Sequence, residues 1–546
     1  MGATRSGGRQ GGAGRPTGQR RNNSGQYQHR GDAQGGRRSQ AGAQRRGQGR
    51  ERGKGNAGGR HNPSRQHTER GGERRQSREY QDPARLCAFE ALLTVREDGA
   101  FANLALPPLL DAYHLGKRDA AFATALTYGT LRLQGRYDAI VSQCVDRPLE
   151  QVDPRVLDLL RLGAHQLLGM RVPSHAAVSA TVDLTRHVAG RGAASFVNAI
   201  LRRLSEHDAD TWIERVTAGN TDELAALAAR TSHPLWVVKA LRQALIDNGR
   251  DAKELGALLE ADNADPEVTL CARPGLVAPE VLAKQAAAAT GKEPRLGDTS
   301  PYAVVLAGGD PGRISAVRSS RAGVEDEGSQ LVALVLSEAP LEGRDELWLD
   351  MCAGPGGKAA LLGARAAQRG VHLVASEVAP HRADLVDAAV RALSEEAVEV
   401  RCMDGRSYGT EETGRYDRVL VDAPCSGLGS LRRRPESRWR RSPQDVRELT
   451  GLQQELLASA LKTVRRGGLV AYVTCSPHVQ ETRLVVEDVT RALAHAGITT
   501  ELLHAGNVAT RVAPRPPAGA ERELLQLWPH LDGTDAMFCA LLRRTH

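Results

Sequence analysis

Apolar residues recur at three- and four-residue spacing from residue 83 to about 203: Leu86, Phe89, Leu92 and Leu93, then Val156, Leu160, Ala164 and Leu167. That period places them on one face of amphipathic helices. The stretches 176–184 and 196–204 continue it. Pro107–Pro108, Pro148 and Pro173 predict loops between the helices, because proline cannot donate to the helical ladder. Residues 81–210 are expected to form an all-α domain.

Residues 211–335 mix patterns. Ser232-His233-Pro234 predicts the start of a helix, with Ser232 as its cap and Pro234 in its first turn. Residues 268–274 and 303–306 read as strands. Linker helices and a small α/β subdomain are expected here.

After Glu346 short apolar strands alternate with helices. The strands are expected at 347–349, 372–375, 398–401, 418–421 and 469–473. Between the last two, apolar positions 446, 449, 452, 456, 457, 461 and 464 mark a long helix. This alternation predicts a doubly wound, mostly parallel sheet over 336–546. Residues 498–503 and 537–542 would complete it, the last as an antiparallel edge. The expected fold class is an α/β Rossmann-like domain preceded by an all-α domain and a small α/β subdomain.

Charge adds a fourth region. The 546 residues carry a formal +8, but residues 1–80 hold 19 Lys and Arg against 5 Asp and Glu, a balance of +14. The remainder holds 54 basic and 60 acidic residues, −6. Residues 1–80 are mostly Gly, Arg, Gln, Ser, Ala and Asn, too poor in apolar groups to offset the entropy of ordering. A disordered Arg/Gly-rich tail is expected, attracting RNA through arginine–phosphate contacts. Eight scattered cysteines include no Cys-x-x-Cys pair, so reduced thiols and no metal are expected. No apolar run approaches the ~20 residues of a membrane span, and the basic start lacks a signal peptide's apolar core. A soluble cytoplasmic protein is expected.

The chemistry gathers at strand ends, where ligands bind in such sheets. The string Leu349-Asp350-Met351-Cys352-Ala353-Gly354-Pro355-Gly356-Gly357-Lys358 joins a strand to a helix. Glycines let the backbone approach a ligand, and the helix start offers free N–H groups. It is neither Gly-x-Gly-x-x-Gly nor a Walker loop. The next strands end at Glu377, placed to accept ribose hydroxyls, at Asp404, placed to receive an adenine amino group, and at Asp422. Cys352 to Lys358 with Glu377, Asp404 and Asp422 form the candidate cofactor site. With no second phosphate-binding device, S-adenosylmethionine fits better than a dinucleotide. A lysine at Lys358 needs a carboxylate or ligand partner.

Two cysteines follow strands: Asp422-Ala423-Pro424-Cys425-Ser426-Gly427 and Thr474-Cys475-Ser476-Pro477. C5 of cytosine is not nucleophilic, but a thiolate adding to C6 makes it so. Such chemistry needs an activated thiol and a hydrogen-bonding group at N3/N4, for which Asp422 stands at the right strand end. The two-cysteine arrangement resembles the RNA 5-methylcytosine methyltransferases of the Nop/Sun group, from about residue 325 to 544. That resemblance implies Cys475 as nucleophile, Cys425 as release residue, and Lys358 as an orienting or polarising group. Glu377 stands where the family usually has Asp. In front, Asp82-Pro83-Ala84-Arg85, Arg118-Asp119, Tyr128-Gly129 and 196–204 resemble the NusB-type RNA-binding helical fold. The whole architecture is similar to the bacterial small-subunit ribosomal RNA methyltransferase B type, and the Arg/Gly-rich region is additional to it.

Arg432, Arg433, Arg434, Arg438, Arg440 and Arg441 form a basic stretch after Cys425, expected to grip phosphate beside the active site. His478 reads as a loop histidine rather than an activator of Cys475. The expected function is S-adenosylmethionine-dependent methylation of cytosine C5 in RNA. The expected substrate is small-subunit ribosomal RNA, protein-free or in an early assembly intermediate, with the protein acting as a monomer. Two other readings stand beside it: a transfer-RNA methyltransferase, and a non-catalytic RNA-binding or antitermination factor.

Overall fold

The computed structural model describes residues 80–546. The tail expected over 1–80 lies outside the described residues, apart from Tyr80. From Pro83 the chain folds into seven helices: Pro83–Glu97, Ala102–Ala112, Lys117–Arg132, Gln134–Ser142, Pro154–Leu168, Ser174–Val188 and Gly190–Leu204. Two of them start on an aspartate followed by proline. Asp82 accepts the Arg85 N–H at 3.1 Å, and Asp153 accepts that of Arg155 at 2.8 Å. The side chain meets an otherwise unpaired donor, while proline has none to lose. Phe89, Leu92, Leu126, Leu159 and Leu184 bury one seam, and Ile140, Leu160, Val197 and Leu201 another. The periodic positions are the core, as their spacing requires.

Pro107 and Pro108 do not break the chain into loops; both lie inside the helix Ala102–Ala112. The carbonyls deprived of partners belong to Asn103 and Leu104, which are exposed, so water can satisfy them. Ser232 also departs from expectation. It ends the helix Glu223–Thr231 in a left-handed conformation (φ 59°), and Pro234 precedes the helix Leu235–Asp247. The Ser232 hydroxyl caps a different helix, accepting the N–H groups of Gly135 (3.1 Å) and Arg136 (3.3 Å).

The small subdomain is an antiparallel sheet of β1 (Val268–Ala272), β2 (Arg295–Leu296), β3 (Ala303–Leu306) and β4 (Ala322–Val324), in the order β2-β3-β1-β4. Leu282 and Ala286 of the helix Pro279–Thr290 pack on Leu270, Val304 and Leu306.

The C-terminal domain holds eight strands: β5 (Leu347–Asp350), β6 (His372–Ser376), β7 (Val398–Arg401), β8 (Tyr416–Asp422), β9 (Val464–Thr474), β10 (Thr500–Leu503), β11 (Leu525–Gln526) and β12 (Phe538–Arg544). Their order is β10-β12-β9-β8-β5-β6-β7, with β11 on β12. Strands β5 to β9 pair in parallel. β12 is antiparallel as expected, but it lies inside the sheet, and β10 is the edge. Its continuous buried run Phe538–Leu542 is what an interior strand requires. Helices Glu327–Glu338 and Gly357–Arg369 cover one face, and Pro443–Thr463 and Arg483–His495 the other. The chain runs from β5 outward to β6 and β7, then returns past it to β8 and β9. The reversal opens a crevice at the carboxyl ends of β5 and β8.

Most of the basic stretch 432–441 stitches the domains together instead of facing solvent. Arg438 is fully buried, donating to the Ser232 carbonyl (3.1 Å), Asn263 Oδ1 (2.8 Å) and the Asp262 carbonyl (3.2 Å). Arg440 donates to the carbonyls of Val95, Gly99 and Ala100, and Arg434 and Arg440 both lie over the Phe101 ring. Arg432 and Arg433 pair with Asp535. Arg432, Arg433, Arg438 and Arg440 thus meet protein acceptors, while Arg434 stays exposed beside Phe101.

Candidate active site

The string after β5 makes a tight turn into the helix Gly357–Arg369. The Ala353 N–H donates to the Ser376 carbonyl (2.8 Å), and that of Gly356 to the Ala353 carbonyl (2.7 Å), so the turn is tied to the end of β6. Gly356 caps the helix at φ 107°, where a Cβ would lie 2.5 Å from the Ala389 Cβ. A Cβ on Gly354 would meet Glu377 Oε2 at 2.3 Å. At Gly356 the left-handed backbone favours glycine, whereas a Cβ on Gly354 would require the Glu377 and Arg382 side chains to shift. Glu377 accepts the N–H of Gly354 (3.2 Å) and Ala379 (3.1 Å). Arg382 pairs with Glu377 at 3.3 Å and donates to the Gly354 carbonyl at 2.7 Å. Cys352, Ala353, Gly354, Pro355, Gly356 and Gly357 thus share one corner with Glu377.

Asp404 lies three residues past β7. The Met403 N–H donates to the Glu377 carbonyl (3.2 Å), which brings it to the same edge. Its carboxylate is paired with Arg406 (2.7 Å), whose hydrogen bonds hold it below the usual carboxylate range.

Lys358 reaches from the turn to Asp422 at the end of β8, Nζ to Oδ2 2.9 Å. Asp422 and Glu325 push the ammonium up against the opposing effect of burial. Beyond β8 and β9 the two thiols meet, Cys425 Sγ to Cys475 Sγ 3.3 Å. They are unequal. The hydrogen bond to Cys425 is the largest influence on Cys475 and lowers it, with Lys358 adding to that; burial and Asp422 oppose. Cys425 is pushed well up by the same hydrogen bond, by burial and by the charges of Cys475 and Glu481. Of the pair, Cys475 is the thiol held lower and Cys425 the one held higher, and either sulfur can serve as donor in the contact between them. Cys352 is driven well above the ordinary thiol value by burial, then Asp350 and Asp422, which suits a passive wall of the turn.

Two site residues carry no role in the sequence reading. Asp350 is fully buried and neither carboxylate oxygen has a hydrogen-bond partner. Burial, then the charge of Asp422, pushes it up to about 8, with Lys358 acting against them. The rule that singled out Glu377, Asp404 and Asp422, an acid at a strand end, applies equally to Asp350. Glu481, six residues past Cys475, is wholly buried and accepts from Ser426 and Ser476. No chemical motif marks it. His478 caps its own short turn by accepting the Gln480 N–H (3.2 Å), as a loop histidine does.

Among the described residues no group of three or more His, Cys, Asp or Glu is placed to hold a metal ion, and no helix is long and apolar enough to cross a membrane.

A switch-point crevice with a glycine turn, acidic strand ends and paired thiols defines the C-terminal domain as that of an RNA methyltransferase, and the wider likenesses agree. A family model described as 16S rRNA methyltransferase RsmB/F matches residues 339–543, and the NusB family model matches 82–206. A Mycobacterium tuberculosis (strain H37Rv) protein that carries a methyltransferase name is 46% identical over 464 residues, 85% of this chain and 97% of its own length. The ribosomal RNA small subunit methyltransferase B of Pseudomonas putida is 32% identical over 448 residues, 81% of this chain and 94% of its own. The crystal structure of PH0851 shares the fold, with a TM-score of 0.69 at 20% identity over 84% of this chain and 98% of that one. The chain belongs to the RsmB/F methyltransferase family, of the Sun/Fmu type with an N-terminal NusB-like domain.

Proposed function

We propose that this enzyme transfers a methyl group from S-adenosylmethionine to C5 of a cytosine in small-subunit ribosomal RNA, through a transient bond between Cys475 and C6. The observation that carries the reading is the 3.3 Å contact between two unequal thiols beside the Lys358–Asp422 pair. The residues present suit the donor. The Gly354–Gly357 turn leaves room no Cβ would leave, Glu377 suits ribose hydroxyls, and the unpartnered Asp350 carboxylate suits a cationic group. When bound there, S-adenosylmethionine supplies the electrophilic methyl group.

The Cys475 thiolate adds to C6, forming the S–C bond and shifting the C5=C6 electron pair onto C5. Asp422 and Lys358 face the pyrimidine edge, where hydrogen bonds at O2, N3 and N4 spread that charge. After C5 is alkylated its proton must leave. Cys425, having released its own proton to solvent, takes the C5 proton; the double bond re-forms and Cys475 departs as thiolate. The cycle restores the starting thiol–thiolate pair with one proton released overall. The target base must leave its stack to reach Cys475. The NusB-like domain and the small subdomain supply RNA affinity in this reading, with a monomer acting in the cytoplasm on protein-free RNA or an early assembly intermediate.

Bisulfite sequencing of total RNA from a strain lacking the gene tests it. One protected cytosine in small-subunit ribosomal RNA should become convertible. If every small-subunit cytosine keeps its wild-type protection, the substrate assignment fails.

A further inference from the structure

Glu481 ends the single turn Val479–Glu481, and its carboxylate takes up four donors from three elements. Oε1 accepts the Ser426 N–H at 2.7 Å and Gln453 Nε2 at 3.2 Å. Oε2 accepts the Ser426 hydroxyl at 2.5 Å and the Ser476 hydroxyl at 2.7 Å. The two hydroxyls are themselves 3.1 Å apart. Ser426 directly follows Cys425 and Ser476 directly follows Cys475, so the carboxylate joins the neighbours of both sulfurs. Gln453, on the helix Pro443–Thr463, also donates to the carbonyl of Pro424 (2.8 Å), the residue before Cys425. The Tyr472 hydroxyl fixes the Glu481 carbonyl at 2.8 Å.

A buried carboxylate that lacked these donors would be costly, because each oxygen would lose water without gaining a partner. The arrangement therefore resists any slide of one thiol loop past the other. We infer that Glu481 is a positioning residue that locks the loops of Cys425 and Cys475 in register, setting the sulfur–sulfur contact between them.

The claim about sulfur geometry stands apart from the substrate; only its consequence for turnover rests on the two-thiol mechanism proposed above. It also makes a prediction of sign. Cys475 faces Cys425, Asp422, Lys358, Asp535 and Arg433. Glu481 acts by charge on Cys425 and opposes its ionisation. Removing that charge alone would ease ionisation of Cys425 and would not raise the Cys475 inflection. Losing the register instead removes the hydrogen bond that lowers Cys475, and so raises that inflection.

The test compares full-length wild type, Glu481→Gln, and the double variant Ser426→Ala/Ser476→Ala, which keeps the charge and removes two donors. Iodoacetamide alkylation of the Cys475 peptide is followed by mass against pH, alongside S-adenosylmethionine binding by calorimetry and methyl transfer. In both variants the Cys475 inflection should move up, by about one pH unit, with donor binding unchanged. Methyl transfer should fall by up to about a hundredfold, as a displacement near 1 Å can produce. An inflection that stays put or moves down in both variants overturns the inference. If Glu481→Gln does not fold, the double variant decides alone. If the inflection rises but wild type methylates no cytosine, the lock stands and the proposed function is what fails.

Discussion

Lys358 and Asp422 form an ion pair of 2.9 Å that bridges the glycine turn after β5 and the end of β8. It joins the expected donor site to the expected base site, and each partner acts on Cys475 with opposite sign. Lys358→Met should raise the Cys475 alkylation inflection, because a cation favouring the thiolate is gone. Asp422→Asn should lower it, yet cut methyl transfer by about a hundredfold or more through loss of the group at the pyrimidine edge. An inflection that rises or stays put in Asp422→Asn, or methyl transfer at the wild-type rate, would contradict this division of roles.

The inequality of the sulfurs assigns distinct failures. Cys475→Ala should abolish methyl transfer and leave no adduct. Cys425→Ala should bond to RNA and release it poorly, giving a protein–RNA band that survives denaturing gels. The reverse pattern would exchange the two roles.

Asp350 predicts an unusual pH response. Its carboxyl ionises near 4 when unfolded, but at about 8 in the folded protein. Between those values the unfolded state has lost a proton that the folded state keeps, so this group's contribution to stability falls as pH rises from about 4 to 8. Asp350→Asn, which has no charge to desolvate, should gain in Tm over wild type as pH rises from 6 to 8. The same variant should bind S-adenosylmethionine at least tenfold more weakly. A constant Tm difference across that range would mean that Asp350 is not strained as described.

Gly356→Ala asks whether the turn tolerates a side chain. The left-handed backbone and the 2.5 Å approach to Ala389 both oppose it, at a combined cost of about 1–3 kcal/mol. Donor affinity measured by calorimetry should drop at least tenfold. Wild-type affinity in a folded variant would remove the turn from the cofactor site.

Arg438→Met leaves the carbonyls of Ser232 and Asp262 without their buried donor and Asp262 without its nearby cation. A loss of about 3–5 kcal/mol is expected. Limited proteolysis should then cut near residues 205–235 before the sheet domain is touched. Unchanged Tm and digestion would show that the arginine does not hold the domains together.

Periodicity revealed the helical domain and the strand alternation because both depend on local spacing. Sheet order does not: the apolar run 538–542 suits either a buried strand or a covered edge, and only its pairing with β9 and β10 decides. Pro107 and Pro108 misled because the rule against helical proline assumes a dry backbone, and theirs is wet. Ser232 and the 432–441 arginines misled for a shared reason. A cap or a cation seen in sequence has no partner yet, and here the partners lie between 97 and 345 residues away. The strand-end placement of Glu377, Asp422, Cys425 and Cys475 was legible, since it is set by element boundaries, whereas the burial of Asp350 was not. Nor was Glu481, because its value lies wholly in what folds around it.

Arg432, Arg433, Arg438 and Arg440, four of the arginines that suggested a grip on RNA, are taken up by carbonyls of one domain and carboxylates of another. A polyanion approaching the crevice finds a body whose formal charge is negative overall, with the excess cationic charge confined to the first 80 residues. Raising ionic strength should slow encounter steeply, while the rate of alkylation in an already loaded complex barely changes.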